Sequence, residues 1–167
     1  MAGEIVNMHP NAFQKIIHRF LMLRSVSALL AKVLHRADAF MLRLTGNRHT
    51  FAELVGLPIL QLTTVGARTN QPRTLPLVGI MDNERIALIA SRFGSEHNPG
   101  WYYNLKKNPE CVARWNGRTA IYNAREAEGN EREKYWQLAV SYYAGYDKYK
   151  ERAAPRKIPV MVLGPKN

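Results

Sequence analysis

"PILQLTTVGARTNQPRTLPLVGIM", Pro58 to Met81, holds two apolar runs around a polar, basic link. Its two ends, Pro58–Val65 and Leu75–Met81, are short and rich in residues that suit strands, and the link between them carries Gly66, Asn70 and Pro72. That pattern predicts a hairpin. Within the link, Arg68 and Arg73 flank the neutral groups of Thr69, Asn70 and Gln71. Guanidinium forks hold phosphate or carboxylate through two parallel hydrogen bonds, so the link has the makings of an anion clamp. Arginines are also common at solvated turns, and both readings stand at this point.

Working outward, Asp82-Asn83 reads as a tight turn into a third strand, Arg85–Ser91. Three consecutive strands with short links favour an antiparallel sheet. The next segment, Ser91–Asn98, leaves that strand and enters a helix, with Asn98 expected as N-cap and Pro99 at the first helical position. The helix is expected to run to about Lys107, where Asn108-Pro109 stops it. Cys111–Trp115 and Thr119–Ala124 read as strands around the turn Asn116–Arg118, Glu128–Tyr143 as a helix, and Ile158–Leu163 as a last strand. The sum is α+β, a mostly antiparallel sheet or small barrel with helices attached.

Upstream, Phe13 to Leu44 carries apolar residues at helical spacing, and Lys15, Arg19, Arg24, Lys32, Arg36 and Arg43 interrupt any candidate membrane span. These amphipathic helices read either as a cap on the domain or as a basic surface lying on an anionic membrane. The expectation is one domain over residues 1–167, with 1–44 a helical N-terminal extension and 45–167 the core.

Composition narrows the function classes. The 167 residues hold 24 Lys+Arg against 13 Asp+Glu, a formal net charge of +11. Such an excess implies an anionic partner: a polyanionic small molecule, a membrane surface or nucleic acid. Nucleic acid ranks last, because the basic residues are spread along the chain with no nucleic-acid-binding signature beside them. The single cysteine, Cys111, is expected to be a buried, inert thiol; with no cleavable signal pattern, the expected location is cytoplasmic. His9, His18, His35, His49 and His97 show no metal-ligand spacing, and phosphate-binding glycine loops and serine-nucleophile motifs are missing. An enzyme built this way would rely on a bound cofactor.

Two further groups point to a site. Arg92, beside Gly94 and Ser95, precedes a helix N-terminus, which attracts negative charge. If this loop and the hairpin link lie at one end of the sheet, they converge on one anionic group. In "YYAGYDKY", Tyr143, Tyr146 and Tyr149 recur every third residue, a spacing that brings three phenols to one side of a helix or turn. They line a flat substrate or simply pack onto the sheet.

The segments "LTTVGARTNQPRTLPL", "ASRFGSEHNPGWYYNLKKNP", "EREKYW" and "YDKYKERAAPRKIPVMVL" resemble, in that order and spacing, the deazaflavin-dependent nitroreductase family, over roughly Leu44 to Leu163. The resemblance implies a split β-barrel that binds coenzyme F-420, a deazaflavin with a ribityl phosphate and an oligoglutamate tail. It also implies hydride delivery from the reduced cofactor to quinones, nitroaromatics or other electron-poor acceptors. Carried over residue by residue, it places Arg68, Thr69 and Arg73 near the phosphate and tail, with Arg92 where the family usually has lysine. Pro76, Leu77, Ala90 and Ser91 would line the ring, and Trp101 and Asn104 would close its edge. Tyr143, Tyr146 and Tyr149 fall on the substrate side and, with Ser91, are the expected catalytic residues.

The family's turn usually reads G-R-K-S-G, whereas this chain has Ala67 in place of one basic residue and Asn70 in place of a glycine. Asparagine tolerates a left-handed backbone, so the turn is expected to survive. Related split barrels use flavin mononucleotide, which is the runner-up cofactor. The competing reading is a non-catalytic barrel that holds flavin mononucleotide, haem or lipid and docks at a membrane surface. Barrels of this kind often dimerise, so a homodimer is expected, with peripheral attachment at the inner face of the membrane as a further expectation.

Overall fold

β1, Ile59–Val65, buries every second residue: Leu60, Leu62 and Thr64 point inward while Ile59, Gln61 and Thr63 are half-exposed. This period of two marks a strand with one face on a core. The computed structural model describes residues 57–166, and the expected helices between Phe13 and Leu44 lie outside them. β2, Pro72–Val78, returns antiparallel to β1 in the register Ile59↔Val78 to Val65↔Pro72, so the expected hairpin forms.

The strand expected over Leu75–Met81 is instead two. After β2 the chain bends at Gly79 and continues as β3, Ile80–Asp82, which pairs with β4, Arg85–Ile89. A Cβ at Gly79 would lie 2.5 Å from Leu60 Cδ2 and 3.1 Å from Ile86 Cγ2, so only glycine fits without displacing its neighbours. Sequence patterning does not show this bend, because an unbroken run of residues without polar side chains, Leu75 to Met81, passes through it. The bend has a topological consequence. With β5 at Glu110–Trp115, β6 at Arg118–Glu126 and β7 at Val160–Pro165, the sheet order is β2-β1-β5-β6-β7-β4-β3, so its two edges are separated in sequence by one residue. A sheet whose opposite edges are joined at Gly79 has to curl on itself, and a corner glycine is the usual device. The result is a split β-barrel.

Every pairing in this sheet is antiparallel. Asn116 and Gly117, at φ 47° and 74°, make the β5–β6 turn that the sequence signals. β7 is buried on both faces from Val160 to Leu163. Val160 and Val162 join one apolar cluster and Met161 and Leu163 the other, which explains its unbroken hydrophobic run.

Among the described residues three helices cover the barrel: α1, Gly100–Lys107; α2, Gly129–Tyr142; and α3, Gly145–Ala153. α1 starts one residue later than expected. Pro99 is its N-cap, with extended backbone, and Asn98 accepts a hydrogen bond from Arg156 instead of capping. α2 buries Tyr135, Trp136 and Ala139 and is tied to the β3–β4 hairpin through Asp82, which accepts from Lys134 Nζ at 2.6 Å and Tyr135 Oη at 2.9 Å. Cys111 is buried in β5, and burial, then the neighbouring Glu110, pushes its thiol up to about 12, as expected of an inert cysteine.

Candidate functional site

The β1–β2 turn closes through Gly66 N to Gln71 O and Asn70 N to Gly66 O, both 2.9 Å, with Asn70 at φ 52°. Asparagine therefore supplies the left-handed residue that the turn demands. α1 braces this turn from above. Asn104 Oδ1 accepts from Ala67 N at 2.9 Å, and its Nδ2 donates to the buried Thr64 Oγ1 at 3.0 Å. One helical turn on, Lys107 Nζ donates to Ala67 O at 2.6 Å. A cation thus stands at the turn although position 67 has no charged side chain.

Strand directions decide whether the two cationic loops converge. β1 runs toward the turn; the register Thr64↔Cys111 puts the start of β5 there, and β6, β7 and β4 alternate so that Ile89 and Val160 lie at that same end. The Ser91–Asn98 loop and the Gly66–Gln71 turn therefore share one end of the barrel. α1 leaves the first and bonds to the second.

The Ser91–Asn98 loop opens with consecutive left-handed residues, Arg92 at φ 46°, Phe93 at 57° and Gly94 at 80°. Left-handed backbone costs a non-glycine residue about 1–2 kcal/mol, so the loop needs support. α3 supplies part of it: a Cβ on Gly94 would lie 2.9 Å from Tyr149 O, and the Phe93 and Tyr149 rings meet edge-to-face at 5.8 Å. The rest comes from Arg156, which hydrogen-bonds to the carbonyls of Ser91 and Ser95. Ser91 itself is buried, and its hydroxyl has no hydrogen-bond partner among the described residues.

Leu77, Ala90 and Trp101 pack on a single apolar cluster, with Pro76 half-buried beside Leu77 on β2. Trp101 is more deeply buried than a residue closing a ring edge need be. Arg68, Thr69, Arg73 and Arg92 are exposed, and the three arginines pair with no carboxylate among the described residues. Elsewhere Arg125, Lys106, Lys134, Lys148 and Lys166 all find acidic partners.

Tyr143, Tyr146 and Tyr149 do come together, with ring centroids 5.8–6.0 Å apart. They belong to the other apolar cluster, packed with Trp136 and beside the left-handed turn. Tyr143 follows α2 as its C-cap rather than sharing α3, and its hydroxyl lies 3.3 Å from that of Tyr149. Gly145 permits the approach, since a Cβ there would fall 2.2 Å from the Tyr143 ring. Burial drives all three phenols above their ordinary value near 10, so they keep their protons at neutral pH and serve as hydrogen-bond donors.

Two surface recesses, about 320 Å³ beside Arg132 and Lys157 and about 450 Å³ beside Asn108 and Lys166, contain none of the predicted site residues. The candidate site is the seam at the loop-bearing end of the barrel. Sequence reasoning missed Lys107 and Arg156, both of which act there through backbone carbonyls that leave no sequence pattern.

A family model described as F420H(2)-dependent quinone reductase matches residues 32–165. The chain belongs to that family. An F420H(2)-dependent quinone reductase of Mycobacterium tuberculosis is 35% identical over 109 residues, spanning 64% of this chain and 72% of the relative. Among solved structures, an F420-H2 dependent reductase superposes with a TM-score of 0.59 at 37% identity, covering 64% of this chain and 93% of the other. A second, described as a domain-swapped dimer, gives 0.61 at 32% identity, covering 83% and 96%. The split-barrel fold and the family membership thus agree. The Ser91 hydroxyl and Arg68, Arg73 and Arg92, without polar or acidic partners among the described residues, suit a ligand that combines a polar ring with an anionic tail.

Proposed function

We propose that this protein is an oxidoreductase that binds coenzyme F-420 across the loop-bearing end of its barrel and reduces a quinone or another electron-poor acceptor, such as a nitroaromatic. The observation that carries the reading is the convergence there of two cationic loops, braced by α1 and flanked by a buried serine hydroxyl that has no partner among the described residues. When bound, the reduced cofactor supplies the hydride. Arg68, Thr69 and Arg73 hold phosphate and tail, Arg92 adds a second cationic contact, and Pro76, Leu77 and Ala90 offer an apolar wall. Trp101 and Asn104 support that wall and the turn from α1. Ser91 orients the ring by a hydrogen bond. Tyr143, Tyr146 and Tyr149 border the acceptor's side, excluding water and donating hydrogen bonds; solvent provides the proton, because their phenols hold theirs too tightly.

Titration of purified protein with F-420, flavin mononucleotide and haem, followed by fluorescence or absorbance, tests the reading. Absence of F-420 binding sinks it. Arg68→Ala and Arg73→Ala should each weaken binding roughly tenfold, the worth of a charge-assisted hydrogen bond, with a loss that shrinks at high salt. Unchanged, salt-insensitive affinity removes the clamp.

The homodimer is supported by the domain-swapped relative and is checked by light scattering. No helix among the described residues is long and apolar enough to cross a membrane, and docking at an anionic surface rests on residues 1–44 alone. Co-sedimentation with anionic vesicles, with and without that segment, decides it.

A further inference from the structure

Arg156 sits between α3 and β7, and its guanidinium faces the Ser91–Asn98 loop. Nη2 donates to Ser91 O at 3.0 Å and to Ser95 O at 2.7 Å, and Nε donates to Ser95 O at 3.0 Å. Nη1 donates to Asn98 Oδ1 and, at 3.4 Å, to Ala90 O. The two carbonyls that the fork holds together bracket the left-handed residues Arg92, Phe93 and Gly94. Only a planar group with several N–H donors can span both, so lysine is no equivalent.

The charge on this group is equally informative. All its acceptors are neutral, and it pairs with no carboxylate among the described residues. Burial acts against its protonated form and Arg92 adds to this, while Tyr103 acts the other way, so Arg156 and Arg92 form a like-charged pair with no carboxylate partner among the described residues. Such a pair is relieved by an anion, and Arg92 is the exposed member that can reach one.

We infer that Arg156 is a positioning residue for the cofactor: by clamping Ser91 O and Ser95 O it holds the left-handed turn that presents the Ser91 hydroxyl and the Arg92 guanidinium. The inference rests on the F-420 reading above. It differs from a plain scaffold role in its consequence, because the clamp is needed for ligand geometry at temperatures where the barrel is fully folded.

R156K and R156A are compared with the wild type in F-420 titration, thermal melting and steady-state quinone reduction, well below the melting transition. Both variants should lose at least tenfold in F-420 affinity while remaining folded, since an ammonium keeps the charge but not the fork. Millimolar guanidinium chloride, against matched sodium chloride, should restore part of the loss in R156A by refilling the donor site. R156K binding within twofold of the wild type overturns the inference, as does a loss in R156A that guanidinium leaves unchanged. If R156A does not fold, R156K decides alone; if neither folds, Arg156 is assigned to the scaffold and the inference falls. Failure of the wild type to bind F-420 removes the parent reading and this one with it.

Discussion

At Ser91 the proposed function and the stability of the fold make opposite demands. Its hydroxyl is buried without a partner among the described residues, an arrangement that costs folding free energy and calls for an explanation. A ligand that completes the hydrogen bond supplies one. Ser91→Ala should therefore leave the melting temperature unchanged or slightly raised, because an unsatisfied polar group is removed, while F-420 affinity falls by several-fold, the worth of about 1 kcal/mol. A lowered melting temperature with full affinity would assign the hydroxyl to the scaffold. The tyrosines follow different physics: each is buried and each phenol is raised, so hydrogen-bond donation is open to them and ionisation at neutral pH is not.

At the level of elements, α1 works as a strut between two loops that would otherwise hold their shapes separately. Asn104 is its contact with the β1–β2 turn, and both ends of its amide are in use. Asn104→Ala strands Ala67 N and the fully buried Thr64 hydroxyl, so it should destabilise the protein by about 1–3 kcal/mol in urea denaturation. The same variant should weaken F-420 binding beyond what stability explains, because the turn that carries Arg68 and Arg73 loses its brace. Full affinity in a destabilised variant would separate the strut from the site. Lys107, one turn further along, adds its charge at Ala67 O, the position where the sequence lacks a basic residue.

For the whole molecule, buried phenols make the fold sensitive to alkali. Tyr135 is buried on α2 and is pushed up to about 12, first by burial and then by its hydrogen bond to Asp82. An unfolded tyrosine ionises near 10, so between pH 10 and 12 the native state holds protons that the unfolded chain has released. Stability is therefore complete below pH 10 and falls as pH rises through that window, by up to about 1.4 kcal/mol per pH unit for each such group. Urea denaturation at pH 8, 10 and 11 should show the decline, and Tyr135→Phe should make it shallower, the other raised phenols keeping part of it. A constant midpoint across the three would mean that the phenols ionise equally well in the fold. How much of this molecule is legible in its sequence follows from where each constraint acts. Alternation along β1, the Asn116-Gly117 turn and the helical spacing of Glu128–Tyr143 are local, so residue order by itself determined those elements, and several separated motifs together determined the family. The bend at Gly79 was hidden because what forbids a side chain there is Leu60 and Ile86, which reach it only once the flanking hairpin strands have paired. Folding alone brings the two cationic loops to one end of the barrel, lets α1 join them, and carries Arg156 to two carbonyls sixty-five and sixty-one positions away. Backbone carbonyls are identical at every residue, so contacts made to them write nothing into the sequence of the segment that receives them.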